Sequence, residues 1–556
     1  MTARAPLSDP LPDSRNRGRV VLVVSLLLAT ALAGLPIAGG VAIDDAAGPS
    51  TDASIQTGDG TGGVVDEGLS DDGSIEVVVR LEDPDIPASL SGSEAESKLE
   101  SHANETQGPL LAHAETTAGV TVEEELWLTN AVVLTVDTDR ADLEPIAALD
   151  AVERVHENFA VSIPERQSAT NASPAGGPGS GTTTGRTWGL DYLNVPAVWE
   201  TYETRGEGVR VAVLDTGVDA THPDIDLYTE DPSDPTYPGG WAEFDETGVR
   251  VPGSTPYDSD SHGTHVSGTV AGGNASGTRI GVAPGVDLLH GLVLPDTGGS
   301  FAQVVAGMEW AVANDADVAS MSLGTAGKHP AFIEPVQNAR DSGTIVVGAI
   351  GNDGHGTSSS PGNVDETLAV GAVAPDGTVP AFSGGERIDR SDWAVTPATW
   401  PATYVAPDVV APGVAVTSAV PGGEYARLPG TSMATPHVTG TVALLLSVEP
   451  GATLAEIESA LTDSASIPAV ASDLETTVDP ETRYGLGVVD ARDATDALVE
   501  ARGGTDPVPL GERSDADHPS EPNGTGPNTA GPIVLVAAIG FVAFLVTLAL
   551  ARARNR

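Results

Sequence analysis

Between residues 187 and 502, short β-branched runs with almost no charge alternate with segments that carry apolar residues at helical spacing. The runs 209–214 and 344–349 are typical of strands that are buried on both faces. Residues 301–313 and 432–447 have the apolar spacing of helices that pack on a core. This alternation predicts an α/β domain with a mainly parallel sheet flanked by helices.

The chain is strongly acidic, because 79 Asp and Glu residues against 26 Lys and Arg residues give a formal net charge of −53. The acidity belongs to the predicted α/β domain, since residues 187–500 hold 44 acidic and 11 basic residues. Such a surface argues against nucleic acid as a partner and is screened in concentrated salt. Only Lys98 and Lys328 are lysines. We interpret the surface as that of a halophilic protein, the alternative being an acidic secreted protein.

Both ends of the chain have the composition of membrane segments. In residues 1–43, three arginines precede a long uncharged stretch, which predicts an export signal peptide or, alternatively, a retained N-terminal anchor. Residues 533–551 are 19 uncharged positions, about 28 Å as a helix, and three arginines follow them. This pattern predicts a transmembrane helix and a cytoplasmic Arg tail over residues 532–556, with the rest of the chain outside the cell membrane unless processing releases it. The absence of cysteine excludes disulfides and thiol catalysis.

A smaller unit precedes the α/β domain. Residues 44–73 are predicted to be disordered, residues 166–186 to form a linker and residues 503–531 a flexible stalk. Residues 74–165 are predicted to form a ferredoxin-like α+β unit of order β-α-β-β-α-β. Its predicted strands are 75–81, 120–128, 131–136 and 152–163, and its predicted helices are 93–117 and 141–149.

Three short motifs in the larger domain carry residues suited to acyl transfer. Asp215 ends a buried strand, His262 begins a helix in the run His-Gly-Thr-His, and Ser432 opens the longest apolar helix. Taken singly, each has an ordinary structural interpretation: a turn former, a structural histidine and a helix cap. Together they supply the orienting carboxylate, the general base and the nucleophile that acyl transfer requires.

These motifs, Asp-Thr-Gly from residue 215, His-Gly-Thr-His from residue 262 and Gly-Thr-Ser-Met-Ala from residue 430, resemble those of the subtilisin-like serine proteases, in the same chain order. The resemblance covers residues 187–500 and implies a subtilisin-like three-layer domain. It further implies a serine endopeptidase that hydrolyses extended polypeptide through an acyl-enzyme, with Asp215, His262 and Ser432 as its triad. The acidity and the scarcity of lysine are similar to the halolysin-type branch of halophilic archaea.

The same resemblance implies further site residues. Asn352 follows a predicted strand where the family places its oxyanion-hole amide. The two walls of a cleft that binds extended peptide by β-augmentation are implied to be Gly298 and Gly299 on one side and Ser322, Leu323 and Gly324 on the other.

No cofactor is required for this chemistry, but a structural calcium ion is implied. Asp224 matches a family calcium ligand, and the loop 273–279 would add carbonyl oxygens. Ala275 stands where the family often has an asparagine ligand, which weakens the site. Asp258 and Asp260 are interpreted as part of the solvated acidic surface, with a second ion site as the alternative.

The unit 74–165 resembles the inhibitory propeptide of this family, which implies an intramolecular inhibitor cleaved between Pro164 and Trp188. A permanent accessory domain is the alternative for this unit. For the whole chain, the alternatives are a catalytically silent pseudoprotease that binds peptides at the cell surface and a displayed structural protein.

Overall fold

The structure is a computed structural model, and it describes residues 63–69, 73–84, 86–87, 90–164, 185–296, 298–473 and 478–504. Among these residues, no helix combines the length and the apolarity that crossing a bilayer requires. The segments predicted at 1–43 and 532–556 lie outside the described residues, as do most of the predicted linker and stalk.

The N-terminal domain, residues 63–164, consists of a sheet and three helices. Its elements are β1 (Val64–Val65), β2 (Ser74–Leu81), α1 (Ser93–Thr106), α2 (Gly108–Thr116), β3 (Val120–Leu126), β4 (Ala131–Asp137), α3 (Glu144–Ala147), β5 (Val152–Glu157) and β6 (Ala160–Ser162).

The sheet of this domain has the order β1-β5-β2-β4-β3. Strands β2 to β5 are antiparallel and follow the predicted β-α-β-β-α-β order, while β1 pairs in parallel with β5. Strand β1 lies within residues 44–73, so the prediction of disorder is wrong for this part, because backbone pairing with β5 orders it.

Two predicted elements of this domain are divided in the structure. The helix predicted over 93–117 breaks at Gln107, because Pro109 in the first turn of α2 has no N–H group and constrains the residue before it. The strand predicted over 152–163 splits into β5 and β6, since β6 leaves the sheet and pairs with a strand of the larger domain.

The C-terminal domain, residues 185–504, contains nine helices and fourteen strands in its described part. The helices are α4 (Trp188–Tyr192), α5 (Val195–Thr201), α6 (His262–Ala271), α7 (Phe301–Ala313), α8 (Ile333–Asp341), α9 (Thr431–Val448), α10 (Leu454–Ser464), α11 (Glu481–Tyr484) and α12 (Ala491–Ala501). The strands are β7 (Arg210–Asp215), β8 (Trp241–Glu243), β9 (Asp287–Leu292), β10 (Gly298–Ser300), β11 (Val318–Met321), β12 (Thr325–Ala326), β13 (Ile345–Ala349), β14 (Ser359–Ser360), β15 (Leu368–Val373), β16 (Glu386–Asp389), β17 (Thr403–Ala406), β18 (Val409–Pro412), β19 (Val416–Val420) and β20 (Glu424–Leu428).

Seven of these strands form one parallel sheet in the order β18-β15-β13-β11-β7-β9-β8. Alternate residues of a strand point to opposite faces. In β7, Val211 and Val213 pack in the cluster that contains α6 and α9, while Ala212 and Leu214 pack in the cluster that contains α7 and α8. The predicted parallel sheet between helices is therefore confirmed. Strand β8 was not predicted: it comes from an acidic, Pro- and Gly-rich stretch and extends the edge of the sheet.

The N-terminal domain packs on α7 and α8. Val78 and Val133 from one face of its sheet belong to the same apolar cluster as these helices. Arg80, which is only 6% exposed, forms an ion pair with Glu334 and donates to the Ala331 carbonyl at 3.1 Å. This contact holds β6 and the residues after it over the carboxyl edge of the parallel sheet.

Candidate active site

Asp215 and His262 are joined by a hydrogen bond at the carboxyl edge of the sheet. Asp215 ends β7, and His262 is the first residue of α6. The His262 Nδ1 atom lies 2.7 Å from the Asp215 Oδ1 atom, and both side chains are buried. Nδ1 therefore donates to the carboxylate, which leaves His262 Nε2 as the basic nitrogen. Among the described residues, Nε2 has no hydrogen-bond partner.

Ser432 lies in the first turn of α9, which packs against α6. Its Oγ atom donates to the Ser322 carbonyl at 3.3 Å and not to His262. Pro436 has no N–H group for the Ser432 carbonyl four residues earlier, and that carbonyl accepts instead from Ser322 Oγ at 2.9 Å. The serine is thus held by two bonds to Ser322, and its hydroxyl must rotate before it can reach an imidazole.

Asn352 follows β13 with its amide orientation fixed by Thr431. The Asn352 Oδ1 atom accepts from both the N–H and the Oγ1 hydroxyl of Thr431, each at 3.0 Å. The Nδ2 group must therefore face the opposite way, where it donates to the Pro164 carbonyl at 3.3 Å. An amide N–H is placed next to Ser432 and already binds a main-chain carbonyl oxygen.

Strand β6 (Ala160–Ser162) and the two residues after it lie in the cleft. Strand β6 pairs antiparallel with β10, with Ser162 opposite Gly298 and Val161 opposite Gly299. On its other side, Ser162 exchanges two backbone hydrogen bonds with Gly324, at 3.0 and 2.9 Å. Of the predicted cleft residues, the structure therefore places Gly298, Gly299 and Gly324 along an extended chain. Ser322 contacts Ser432 instead, and Leu323 is buried in the core.

Comparison with known proteins agrees with this geometry. Residues 206–497, more than half of the chain, match the Subtilase family. The chain belongs to the subtilase family.

Three relatives show how far the sequence similarity extends along this chain and along each relative. It is 38% identical over 287 residues to subtilisin amylosacchariticus of Bacillus subtilis subsp. amylosacchariticus, covering 50% of this chain and 66% of that protein. It is 38% identical over 287 residues to the subtilisin of Bacillus pumilus, covering 50% and 91% of the two chains. It is 36% identical over 311 residues to subtilisin Savinase of Lederbergia lenta, covering 55% and 98%. The predicted subtilisin-like family and α/β fold are confirmed, and the halolysin-type branch stays a prediction.

In this subtilase, Asp258 links the two motifs that carry Asp215 and His262. Its carboxylate accepts from the Thr216 hydroxyl at 2.8 Å and from the Thr264 N–H and hydroxyl at 2.8 and 2.6 Å. Burial raises the pKa of Asp258, although these hydrogen bonds oppose the rise. The interpretation of Asp258 as solvated surface is therefore wrong. The sequence did hold a signal for this role: Asp258 lies four residues before His262, and the Asp215 and His262 motifs each contain a threonine hydroxyl, at Thr216 and Thr264.

His290 connects the loop after Asp215 to the helix that begins at His262. It is a fully buried residue of β9, and its Nε2 atom accepts from the Gly217 N–H at 3.1 Å. Its Nδ1 atom therefore carries the proton and donates to Ser267 Oγ at 2.9 Å. Burial lowers the pKa of His290 to about 4, so the ring is neutral and ties β9 to α6 and to the loop after Asp215. Sequence reasoning missed this residue, and a histidine in an otherwise apolar strand was the signal for it.

Both carboxylate oxygens of Asp224, the residue predicted to bind calcium, accept hydrogen bonds in the structure. One carboxylate oxygen accepts from the Ala275 N–H and the other from the Tyr425 hydroxyl, at 2.5 Å each. A carboxylate oxygen can accept a hydrogen bond and bind a cation at the same time, so the structural calcium ion stays a prediction. In the loop 273–279, the carbonyl of Asn274 already accepts a hydrogen bond from within the loop. No three His, Cys, Asp or Glu side chains among the described residues are grouped to bind a metal ion.

Proposed function

We propose that this subtilase is a serine endopeptidase that hydrolyses extended polypeptide through an acyl-enzyme. The observation that carries the proposal is the segment 160–164: its strand β6 lies between β10 and Gly324, and the Pro164 carbonyl accepts from Asn352 Nδ2. A peptide held in this way presents a polarised carbonyl beside a helix-terminal serine and a buried Asp–His pair. Family membership supports the same chemistry.

In the proposed mechanism, Ser432 Oγ leaves the Ser322 carbonyl and attacks the substrate carbonyl while His262 Nε2 takes its proton. Asp215 holds Nδ1–H and stabilises the imidazolium. Asn352 Nδ2 and the Ser432 N–H, which has no acceptor within the first turn of α9, stabilise the oxyanion. His262 then protonates the leaving amine, and water activated by the same imidazole hydrolyses the acyl-enzyme.

The chain is also proposed to be a proenzyme whose N-terminal domain is its inhibitor. The Pro164 carbonyl lies on the amide that would bind the oxyanion, so the bond between Pro164 and Glu165 is the proposed processing site. Glu165 itself is outside the described residues. Only Glu165 separates this bond from the predicted linker 166–186, and the bond lies within the interval predicted for cleavage.

Intact mass spectrometry of the full chain in molar salt tests both proposals. We expect wild-type protein to separate into fragments that end at Pro164 and begin at Glu165. The Ser432→Ala variant is expected to stay whole, because it lacks the nucleophile. Cleavage of the wild type at a different bond would contradict the proposed processing site, and equal cleavage of both proteins would contradict self-processing.

Release of the inhibitor is expected to depend on pH through Glu309. This residue of α7 accepts the Leu128 N–H of the N-terminal domain at 2.7 Å. Burial raises the pKa of Glu309 from 4.5 to about 8, and Glu124 and Glu100 of the inhibitor add to the rise. The inhibitor adds to the burial and to the negative charge around Glu309, so the complex holds this proton more tightly than the separated catalytic domain does. As the pH rises toward the pKa of Glu309 in the complex, binding of the inhibitor is expected to weaken, by up to about tenfold per pH unit.

After processing, activity is thus expected to emerge faster at pH 8 than at pH 6 at constant salt. In the Glu309→Gln variant, which keeps the acceptor oxygen but cannot ionise, this dependence should flatten. Activity traces after mixing at each pH measure the rate. An identical pH dependence in the two proteins would contradict the assignment to Glu309.

The acidic surface is proposed to be an adaptation to concentrated salt. Residues 187–500 carry 44 acidic and 11 basic residues, and this repulsion is unscreened in dilute buffer. We expect far-UV circular dichroism and activity to be lost together when salt falls from molar to about 10 mM. Equal folding in dilute buffer would contradict the proposal and leave the proposed chemistry intact.

Anchoring to the cell membrane through residues 532–556, with the catalytic domain outside, is proposed from composition alone, because 19 uncharged residues precede the terminal arginines. Recovery of mature protein from the medium without this tail would overturn stable anchoring.

A further inference from the structure

Pro164 is the last described residue of the segment that lies in the cleft, and it has no N–H group. Its carbonyl accepts from Asn352 Nδ2 at 3.3 Å, so it is the residue on the inhibitor side of the proposed cleaved bond. A proline removes one backbone hydrogen-bond donor from the strand that it extends. The acceptor that this donor would have reached belongs to the C-terminal domain.

The register of the segment identifies that acceptor. Ser162 and Gly324 pair antiparallel and exchange two backbone hydrogen bonds, at 3.0 and 2.9 Å. In an antiparallel ladder, pairs that exchange such bonds recur every two residues along each strand. Position 164 therefore faces Ser322, and an N–H group at position 164 would donate to the Ser322 carbonyl. Pro164 leaves this carbonyl without a donor from the segment.

The Ser322 carbonyl accepts from the proposed nucleophile instead. Ser432 Oγ donates to it at 3.3 Å. His262 Nε2, which accepts this proton in the proposed mechanism, has no hydrogen-bond partner in the described part of the chain. A donor that competed for the Ser322 carbonyl would therefore favour rotation of the Ser432 hydroxyl toward the imidazole.

We propose that Pro164 slows self-processing, because without an N–H group it leaves the Ser322 carbonyl to hold the Ser432 hydroxyl. This inference rests on the proposed function, since it uses the proposed nucleophile and the proposed cleaved bond. It adds a substrate class: polypeptides with any residue other than proline before the cut supply the missing N–H group and are cleaved faster than the chain's own junction. The inhibitor thus binds as a substrate does but is cut slowly.

Intact mass spectrometry of the full chain over time in molar salt tests this role. We expect the Pro164→Ala variant to separate after residue 164 about tenfold faster than the wild type, which corresponds to about one hydrogen bond gained. Pro145→Ala is the matched control, because Pro145 is an exposed residue of α3, a helix of the same domain that packs on β1 and β5. This variant should be processed at the wild-type rate.

Three peptides that reproduce residues 159–168 separate the effect of the N–H group from that of the proline ring. They carry Pro, Ala or N-methylalanine at position 164, and N-methylalanine lacks both the ring and the N–H group. On the processed enzyme, we expect kcat/KM for the Ala peptide to be about tenfold higher than for the other two peptides, which should be nearly equal. Such a result would assign the slow cleavage to the missing donor.

The possible outcomes separate this role from the chemistry. Equal rates of processing in the wild type and in Pro164→Ala overturn the role of Pro164 and leave the proposed function standing. The same holds if the N-methylalanine peptide is cleaved as fast as the Ala peptide. Processing that is equally accelerated in Pro145→Ala overturns the assignment to Pro164. If neither the wild type nor Pro164→Ala is processed or labelled by a serine-directed probe, the proposed function is overturned and the inference with it.

Discussion

Replacement of Ser432 by alanine is expected to lower kcat by about 10⁶-fold, the scale known for triad nucleophiles of this family. The reason is geometric: Ser432 is the hydroxyl at the start of α9, beside Asn352 and the helix that carries His262. Without it, the imidazole has no alcohol to deprotonate, and only binding and oxyanion stabilisation remain. Peptide hydrolysis and labelling by a fluorophosphonate probe in molar salt measure the loss.

Ser447→Ala is the matched control, because Ser447 belongs to the same helix but contacts Thr204, away from the cleft. This variant should label like the wild type. Labelling that persists in Ser432→Ala would place the nucleophile elsewhere. A folded wild-type protein that never labels would favour the alternative of a silent peptide-binding pseudoprotease.

Replacement of Asn352 by alanine is expected to lower kcat by about 10²- to 10³-fold with little change in KM, as known for this kind of amide donor in the same family. The donor acts on charge that develops only in the transition state, so its loss leaves ground-state binding nearly unchanged. Steady-state kinetics on a peptide substrate separate the two parameters. A raised KM at constant kcat would mean that Asn352 only binds the substrate.

Replacement of Thr431 tests how strongly kcat depends on the orientation of the Asn352 amide. Thr431→Val keeps the shape and the backbone N–H but removes the hydroxyl that holds Asn352 Oδ1. The amide then has one restraint in place of two, and we expect a loss of about tenfold in kcat. Wild-type activity in this variant would show that the backbone contact alone orients Asn352.

The sequence was most informative where structure is set locally. The helix predicted over 301–313 has the observed bounds, and the helix predicted over 432–447 differs by one residue at each end, because apolar spacing reports packing on a nearby core. The candidate site residues could be identified from the sequence because each lies in a short, continuous motif. The distances between these residues and their hydrogen-bond partners could not be predicted, since each residue lies on a different helix, strand or loop.

Features that depend on distant pairing could not be predicted. Residues 152–163 have the composition of a single strand, but the second half bonds to residues about 140 positions later in the chain. The hydrogen bond from the Tyr425 hydroxyl to Asp224 joins residues that are 201 positions apart in the chain. The contacts of His290 with Gly217 and Ser267 likewise depend on neighbouring strands of the sheet, which residue patterns alone do not place in register.

The cleft holds its occupant as the middle strand of three, with backbone bonds to β10 on one side and to Gly324 on the other. A folded protein can bind in this way only if several consecutive residues first lose the backbone hydrogen bonds of their own fold. The proposed activity would therefore favour unfolded polypeptide over compact proteins, because these hydrogen bonds are made to the backbone, which every sequence shares.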